Sequence, residues 1–402
     1  MQALIETYHR LLSEIVPSYW RRFYDEFVMD SRMVGIVGAR GVGKTTFLVS
    51  YLREHYGGSD RSLYVSADNL YFVEHTLIEV ADQFVKDFAG EILCIDEIHR
   101  YRNWNQELKN IYDSYPKLSV IFSGSSSVDL VKGKYDLSRR ANLKTMYGFS
   151  FREYLEVWEK AKYPILTLAE IRTNHTMYAQ ELMKTPKILG YLKQYLKGGY
   201  YPTFLEMGSY GAYQSSLRGI IDKIIFEDIS SFYSLNTSNL DTLKKIIYFF
   251  GTAQPGTVNI NRLAGSLKKD YTTIAEYVQI LRDTGLLRFL RRNKQGHALV
   301  RDAEKIYLDN PNLLYAVNQE VGKEPLVGVS RELFVIGSLE NADYHVFFSE
   351  AADVECDGHL FEIGGKNKTA SQLKGKEGYL ISDDVLVGDS RTIPLYLFGF
   401  LS

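Results

Sequence analysis

The stretch Gly38-Ala39-Arg40-Gly41-Val42-Gly43-Lys44-Thr45-Thr46 constrains this chain more than any other. It follows directly on Met33 to Val37 (MVGIV), an apolar run of strand length, and leads into a helical pattern with Phe47, Leu48, Tyr51 and Leu52 apolar. The spacing is G-x-x-x-x-G-K-[ST], the phosphate-loop pattern, in the strand–turn–helix setting that gives it meaning. Glycines at 38, 41 and 43 let the backbone curl so that its N–H groups converge on phosphate oxygens. The helix beginning near Lys44 adds the positive end of its dipole. Lys44 supplies a mobile charge for the β- and γ-phosphates, and the Thr45 hydroxyl is suited to a magnesium ion. Gly38, Arg40, Gly41, Val42, Gly43, Lys44, Thr45 and Thr46 are therefore the candidate nucleotide-binding residues. The alternative is a Gly-rich turn with no ligand.

A second element points the same way. Ile92 to Ile95 (ILCI) reads as a buried strand, and Asp96 and Glu97 stand at its carboxyl end, where open α/β sheets bind ligands. Asp96 is the candidate metal ligand beside Thr45. Glu97 is the candidate base that orients and deprotonates the attacking water. The alternative, a solvated acidic strand end, weakens because the pair follows Lys44 by 52 positions with helical patterns between. Leu118 to Phe122 is a further strand, ending in a serine-rich stretch where Ser123 and Ser125 are candidates to touch the γ-phosphate. Such a stretch can equally be only a turn. Arg61 to Ser66 (RSLYVS) is one more strand.

The bulk numbers exclude other classes. The chain has 402 residues, enough for two to four domains, and its 45% hydrophobic and 24% charged residues argue against long disorder. A formal net charge of −2 leaves no overall electrostatic pull toward nucleic acid. No apolar run approaches the ~20 residues that span a bilayer, and Met1 to Trp20 reads as an amphipathic helix, not a signal peptide. The two cysteines, Cys94 and Cys356, sit in no metal-binding spacing and fit a reducing, cytoplasmic setting with no membrane partner.

At this point the sequence resembles the prokaryotic AAA+-type ATPases whose C-terminal half is a domain of unknown function. The blocks that carry the resemblance are GARGVGKTT, ILCIDEIH, VIFSGSSS, LSRRANLKTMYGFSFREYL, GGYYPTFL and FEIGGKNK. Ser150-Phe151-Arg152-Glu153-Tyr154-Leu155 matches the family's helix start well. Arg140 matches its arginine, while Arg139 replaces the usual preceding glycine. The resemblance implies ATP and magnesium as cofactors, ATP hydrolysis, and a role for Arg140 as a finger on a neighbouring subunit's γ-phosphate in a homo-oligomer. Local pairing of Arg139 and Arg140 is the competing reading.

Three parts are expected: an AAA+-like parallel-sheet core with a helical lid over residues 1–199, a helical connector with a winged helix over 200–310, and an α/β domain over 311–402. In the second, Ile260 to Leu267 and Thr273 to Arg282 form a helix pair, and Leu286 to Leu290 opens a hairpin. Arg288, Arg291, Arg292 and Lys294 lie in or beside it. Such a wing can grip a DNA backbone, although winged helices also serve as protein-docking modules. The third part resembles the PD-(D/E)XK nuclease fold, which implies Asp353 and Glu362 as metal ligands, Lys366 near the nucleophile and Glu332 as an auxiliary acid. The usual Glu-x-Lys spacing puts both side chains on one strand face. Here Glu362-Ile363-Gly364-Gly365-Lys366 widens it, which argues against nuclease activity. Two functions are thus carried forward: a DNA-associated ATP-driven machine or switch, and a nucleotide-dependent scaffold with a protein client.

Overall fold

The computed structural model describes residues 1–125, 137, 139–230, 233, 235–256, 260–293, 305–369, 373 and 376–402. Lys294 and the serines at 126 and 127 lie outside them, as does the side chain of Ser125. Contacts divide the chain into two compact units, Met1–Gly148 and Phe149–Ser402. The helices expected to form the lid thus fall in the second unit.

The first unit is an α/β layer structure. Its strands are β1 (Met33–Gly38), β2 (Ser62–Ser66), β3 (Ile92–Asp96), β4 (Ser119–Ser125) and β5 (Asn142–Thr145). They form one sheet in the order β2-β3-β4-β1-β5, every pair parallel. Helices α1 (Gln2–Glu14), α2 (Arg22–Glu26), α3 (Lys44–Tyr56), α4 (Leu77–Phe88) and α5 (Trp104–Ser114) accompany it. This is the parallel sheet of a P-loop NTPase. Because β3 is buried along its whole length, it reads as a continuous apolar run instead of an alternating one. The amphipathic N-terminal helix ends at Glu14, six residues short of the expected Trp20.

Helices open the second unit: α6 (Phe151–Glu159), α7 (Leu168–Leu182), α8 (Ile188–Gly198), α9 (Tyr210–Lys223), α10 (Thr237–Thr252), α11 (Ile260–Leu267) and α12 (Tyr271–Asp283). Strands β6 (Leu287–Arg292) and β7 (Lys305–Leu308) then pair antiparallel. After α13 (Pro311–Glu320) and α14 (Val327–Asn341) come β8 (Val346–Phe348), β9 (Val354–Cys356), β10 (His359–Gly364), β11 (Gly378–Ser382) and β12 (Thr392–Pro394). The sheet order is β12-β11-β10-β9-β8-β6-β7, with β6 joined to β8 in parallel. The expected hairpin and the expected C-terminal strands therefore share one sheet. The apolar segment Pro394 to Phe398 has the composition of a strand, but after Pro394 the chain forms a 3-10 turn over Leu395–Phe400. Every residue of that turn is buried, and a short run that is apolar throughout carries no period to separate strand from helical turn.

Candidate active site

The loop between β1 and α3 is built as its glycines require. Gly41 and Gly43 hold φ of 86° and 102°, a region that side chains with a Cβ resist. At Gly38 a Cβ would lie 2.3 Å from the carbonyl oxygen of Met146, so the strand end admits no side chain. Lys44 is buried and its ammonium donates to the carbonyls of Gly38 (2.9 Å) and Ala39 (3.2 Å), folding across its own loop. Arg40 and Thr46 are half-buried and Val42 is buried. A residue absent from the sequence reading braces this loop. Arg21, 5% exposed, donates to the carbonyls of Val42 (3.1 Å), Tyr147 (3.0 Å) and Gly148 (2.8 Å).

Asp96 is the centre of the site. Its Oδ2 accepts from the Thr45 hydroxyl at 2.6 Å and from the Tyr64 hydroxyl at 2.8 Å. Its Oδ1 accepts from the Ser123 hydroxyl and from the Glu97 backbone N–H, the latter at 3.1 Å. The fold thus joins the phosphate loop, the acidic strand end and the serine of β4 at one carboxylate that is 1% exposed. Burial, then the neighbouring Asp96 charge, raises the Tyr64 phenol well above its ordinary range, so it stays a donor. Glu97 takes a left-handed backbone, φ 51°, and its Oε2 lies 3.3 Å from Nε2 of the buried His99. Thr45 and Asp96 are hard oxygen donors side by side, the ligand chemistry magnesium prefers.

Other candidates sit elsewhere. Arg140 makes a two-pronged pair with Asp113 (3.0 and 3.1 Å), holding that carboxyl below its usual range. Ser125 pairs by its backbone with Gly38 in the sheet. Asp353 and Glu362 do approach one another in the second unit, but around lysines. Lys368 lies 2.7 Å from Glu362 and 3.8 Å from Asp353, whereas Lys366 is exposed. Lys305 lies 3.4 Å from Glu332 and 3.9 Å from Asp353, and the Tyr307 hydroxyl donates to Glu332. Burial raises the Glu362 carboxyl, and the Lys368 contact opposes that. Among the described residues no group of three or more His, Cys, Asp or Glu is arranged to hold a metal.

Residues 30–155 match the family model of the AAA domain, a span that contains the loop, Asp96, Glu97 and Ser123. That segment is similar to AAA domains and has the P-loop NTPase fold. Beyond it, residues 189–324 match a domain of unknown function. An uncharacterized protein of Methanocaldococcus jannaschii is 27% identical over 315 residues, covering 74% of this chain and 63% of that one. The chain thus spans less than two thirds of that relative's length. Among solved structures, AMPPCP-bound DnaA from Aquifex aeolicus is similar at 16% identity and TM-score 0.29, over 69% of this chain and 86% of that one. A RuvB variant of Thermotoga maritima is similar at 17% identity and TM-score 0.32, over 72% and 89%. Overlap that loose carries no argument about function. What distinguishes the AAA domain here is its own loop and strand geometry.

Proposed function

We propose that the AAA domain binds ATP with magnesium and hydrolyses it. The observation that supports this best is the 2.6 Å contact between Thr45 and Asp96, with Glu97 next in the chain, at the carboxyl edge of a parallel sheet. Bound magnesium would be held by Thr45 and Asp96 and would supply positive charge to the phosphate oxygens. Lys44 exchanges its loop carbonyls for the β- and γ-phosphates. Glu97 accepts a proton from the water that attacks the γ-phosphorus as the bond to the β–γ bridging oxygen breaks, which leaves ADP and phosphate. Ser123 holds Asp96 from the side opposite Thr45. Reduced, buried Cys94 and Cys356 agree with a cytoplasmic setting, and among the described residues no helix is long and apolar enough to cross a membrane.

For the second unit, the described part of the β6/β7 pair favours packing over phosphate contact. Arg288 lies between Asp309 (3.0 Å) and Glu340. Arg292 pairs with Glu350 and stands over the Phe348 ring. We therefore read the protein as an ATP-dependent switch with a protein client, in competition with a DNA-associated machine that uses α11, α12 and the hairpin as a winged helix. For Arg140 to serve as a finger in a homo-oligomer, it would have to exchange Asp113 for a neighbour's phosphate.

The deciding experiment is an ATPase assay of wild type and Glu97→Gln, with and without duplex DNA. The variant should bind ATP as tightly as wild type and turn over about 100-fold more slowly, the scale of a lost general base. Equal turnover in the two proteins would remove Glu97 from the mechanism. Stimulation by duplex that fades with salt would restore the DNA-associated reading.

A further inference from the structure

Of the four donors on Asp96, three belong to elements that the hydrolysis reading already uses: Thr45 on the loop helix α3, Ser123 on β4 and the Glu97 N–H. The fourth, Tyr64, comes from the middle of β2, and nothing in that reading requires it. Ser66 is the register partner of Asp96, and Tyr64 stands two residues earlier, so its side chain leaves the same face of the sheet. The residue is 4% exposed, its ring is held in the core, and its hydroxyl reaches Asp96 Oδ2 at 2.8 Å. A phenol buried this way has no water to turn to, and losing its acceptor would leave a desolvated hydroxyl unmatched.

We propose that Tyr64 is a positioning residue that sets the plane of the Asp96 carboxylate and thereby its hold on magnesium, an inference that rests on the nucleotide-binding reading above. Thr45 shares Oδ2 with Tyr64. When a cation comes to this oxygen, the Thr45 hydroxyl is free to rotate and present a lone pair to the metal. The Tyr64 hydroxyl sits on a rigid ring and stays on the remaining lone pair. It acts as a fixed post, while Ser123 and the Glu97 amide steady the other oxygen. A carboxylate so held meets the cation in one orientation, and outer partners of this kind typically change metal affinity by about 10–100-fold.

Tyr64→Phe removes one oxygen and keeps the ring. The affinity for AMPPCP is measured by calorimetry in EDTA and across a magnesium series, for wild type, Tyr64→Phe, Asp96→Asn and the double variant. In EDTA, Tyr64→Phe should bind AMPPCP as wild type does. The magnesium concentration at half of the metal-dependent gain should rise about 10-fold. In the Asp96→Asn background, Tyr64→Phe should add little, because its target is gone. An unchanged magnesium series in Tyr64→Phe, beside a magnesium-responsive wild type, overturns the role of Tyr64 alone. Equal loss in EDTA and in magnesium also overturns it, since that is the mark of a merely structural change. A wild type that binds no AMPPCP with or without magnesium overturns both this inference and the reading beneath it.

Discussion

Single atoms decide much at the head of the phosphate loop. Gly38 faces the Met146 carbonyl so closely that one methyl group cannot be added without moving backbone. Gly38→Ala should therefore cost about 1–3 kcal/mol of unfolding free energy, the range for forced overpacking, and should weaken nucleotide binding as the loop shifts. Urea unfolding and a nucleotide titration check this, and unaltered values in both would mean that the strand end yields more easily than the 2.3 Å approach implies. The glycines, Lys44 and Thr45 were legible from the phosphate-loop spacing, and Asp96 and Glu97 from an acidic pair at the end of an apolar strand. Arg21 and Tyr64 were not. An arginine before a short helix and a tyrosine inside an apolar strand carry no local pattern, and only the folded chain shows what their polar atoms reach.

The start of α6 was legible through its resemblance to the family's helix start. Ser150 accepts from the Glu153 N–H (3.2 Å), and the Glu153 carboxylate accepts from the Ser150 N–H (3.1 Å), a reciprocal cap that opens α6. Thr76 and Thr167 open α4 and α7 in the same way. Ser150→Ala should lower stability by about 1 kcal/mol, read from the urea midpoint at unchanged slope. A smaller loss would show the helix held by packing alone. Elements without such punctuation were harder. The turn over Leu395–Phe400 has the composition of a strand, and the junction of β6 with β8 joins segments more than fifty residues apart that sequence order gives no reason to pair.

Across the whole molecule, charge pairing separates the two units' acid clusters. Asp96 meets neutral hydroxyls and an amide, which leaves its charge available to a cation. Asp353 and Glu362 meet Lys305 and Lys368, whose ammonium groups already supply the positive charge there. The full chain should accordingly show no manganese-dependent nicking of supercoiled plasmid. If nicking appears and is lost in Asp353→Asn and Glu362→Gln, the cluster is a working nuclease centre despite its lysines. Lys368 in place of the expected Lys366 follows from the turn after β10. Both positions lie beyond the Gly-Gly bend, and which of them returns to the strand depends on how that bend folds.

By itself the sequence determined the loop and the acidic strand end, since each is a local pattern of residue type and spacing. Tertiary structure alone decided which buried donors meet Asp96, which lysine closes on Glu362, and that Arg288 and Arg292 of β6 pair with nearby acids. Those outcomes depend on groups brought together from distant parts of the chain. A buried charge must find its partner in space, and spacing along the chain does not record where that partner will be.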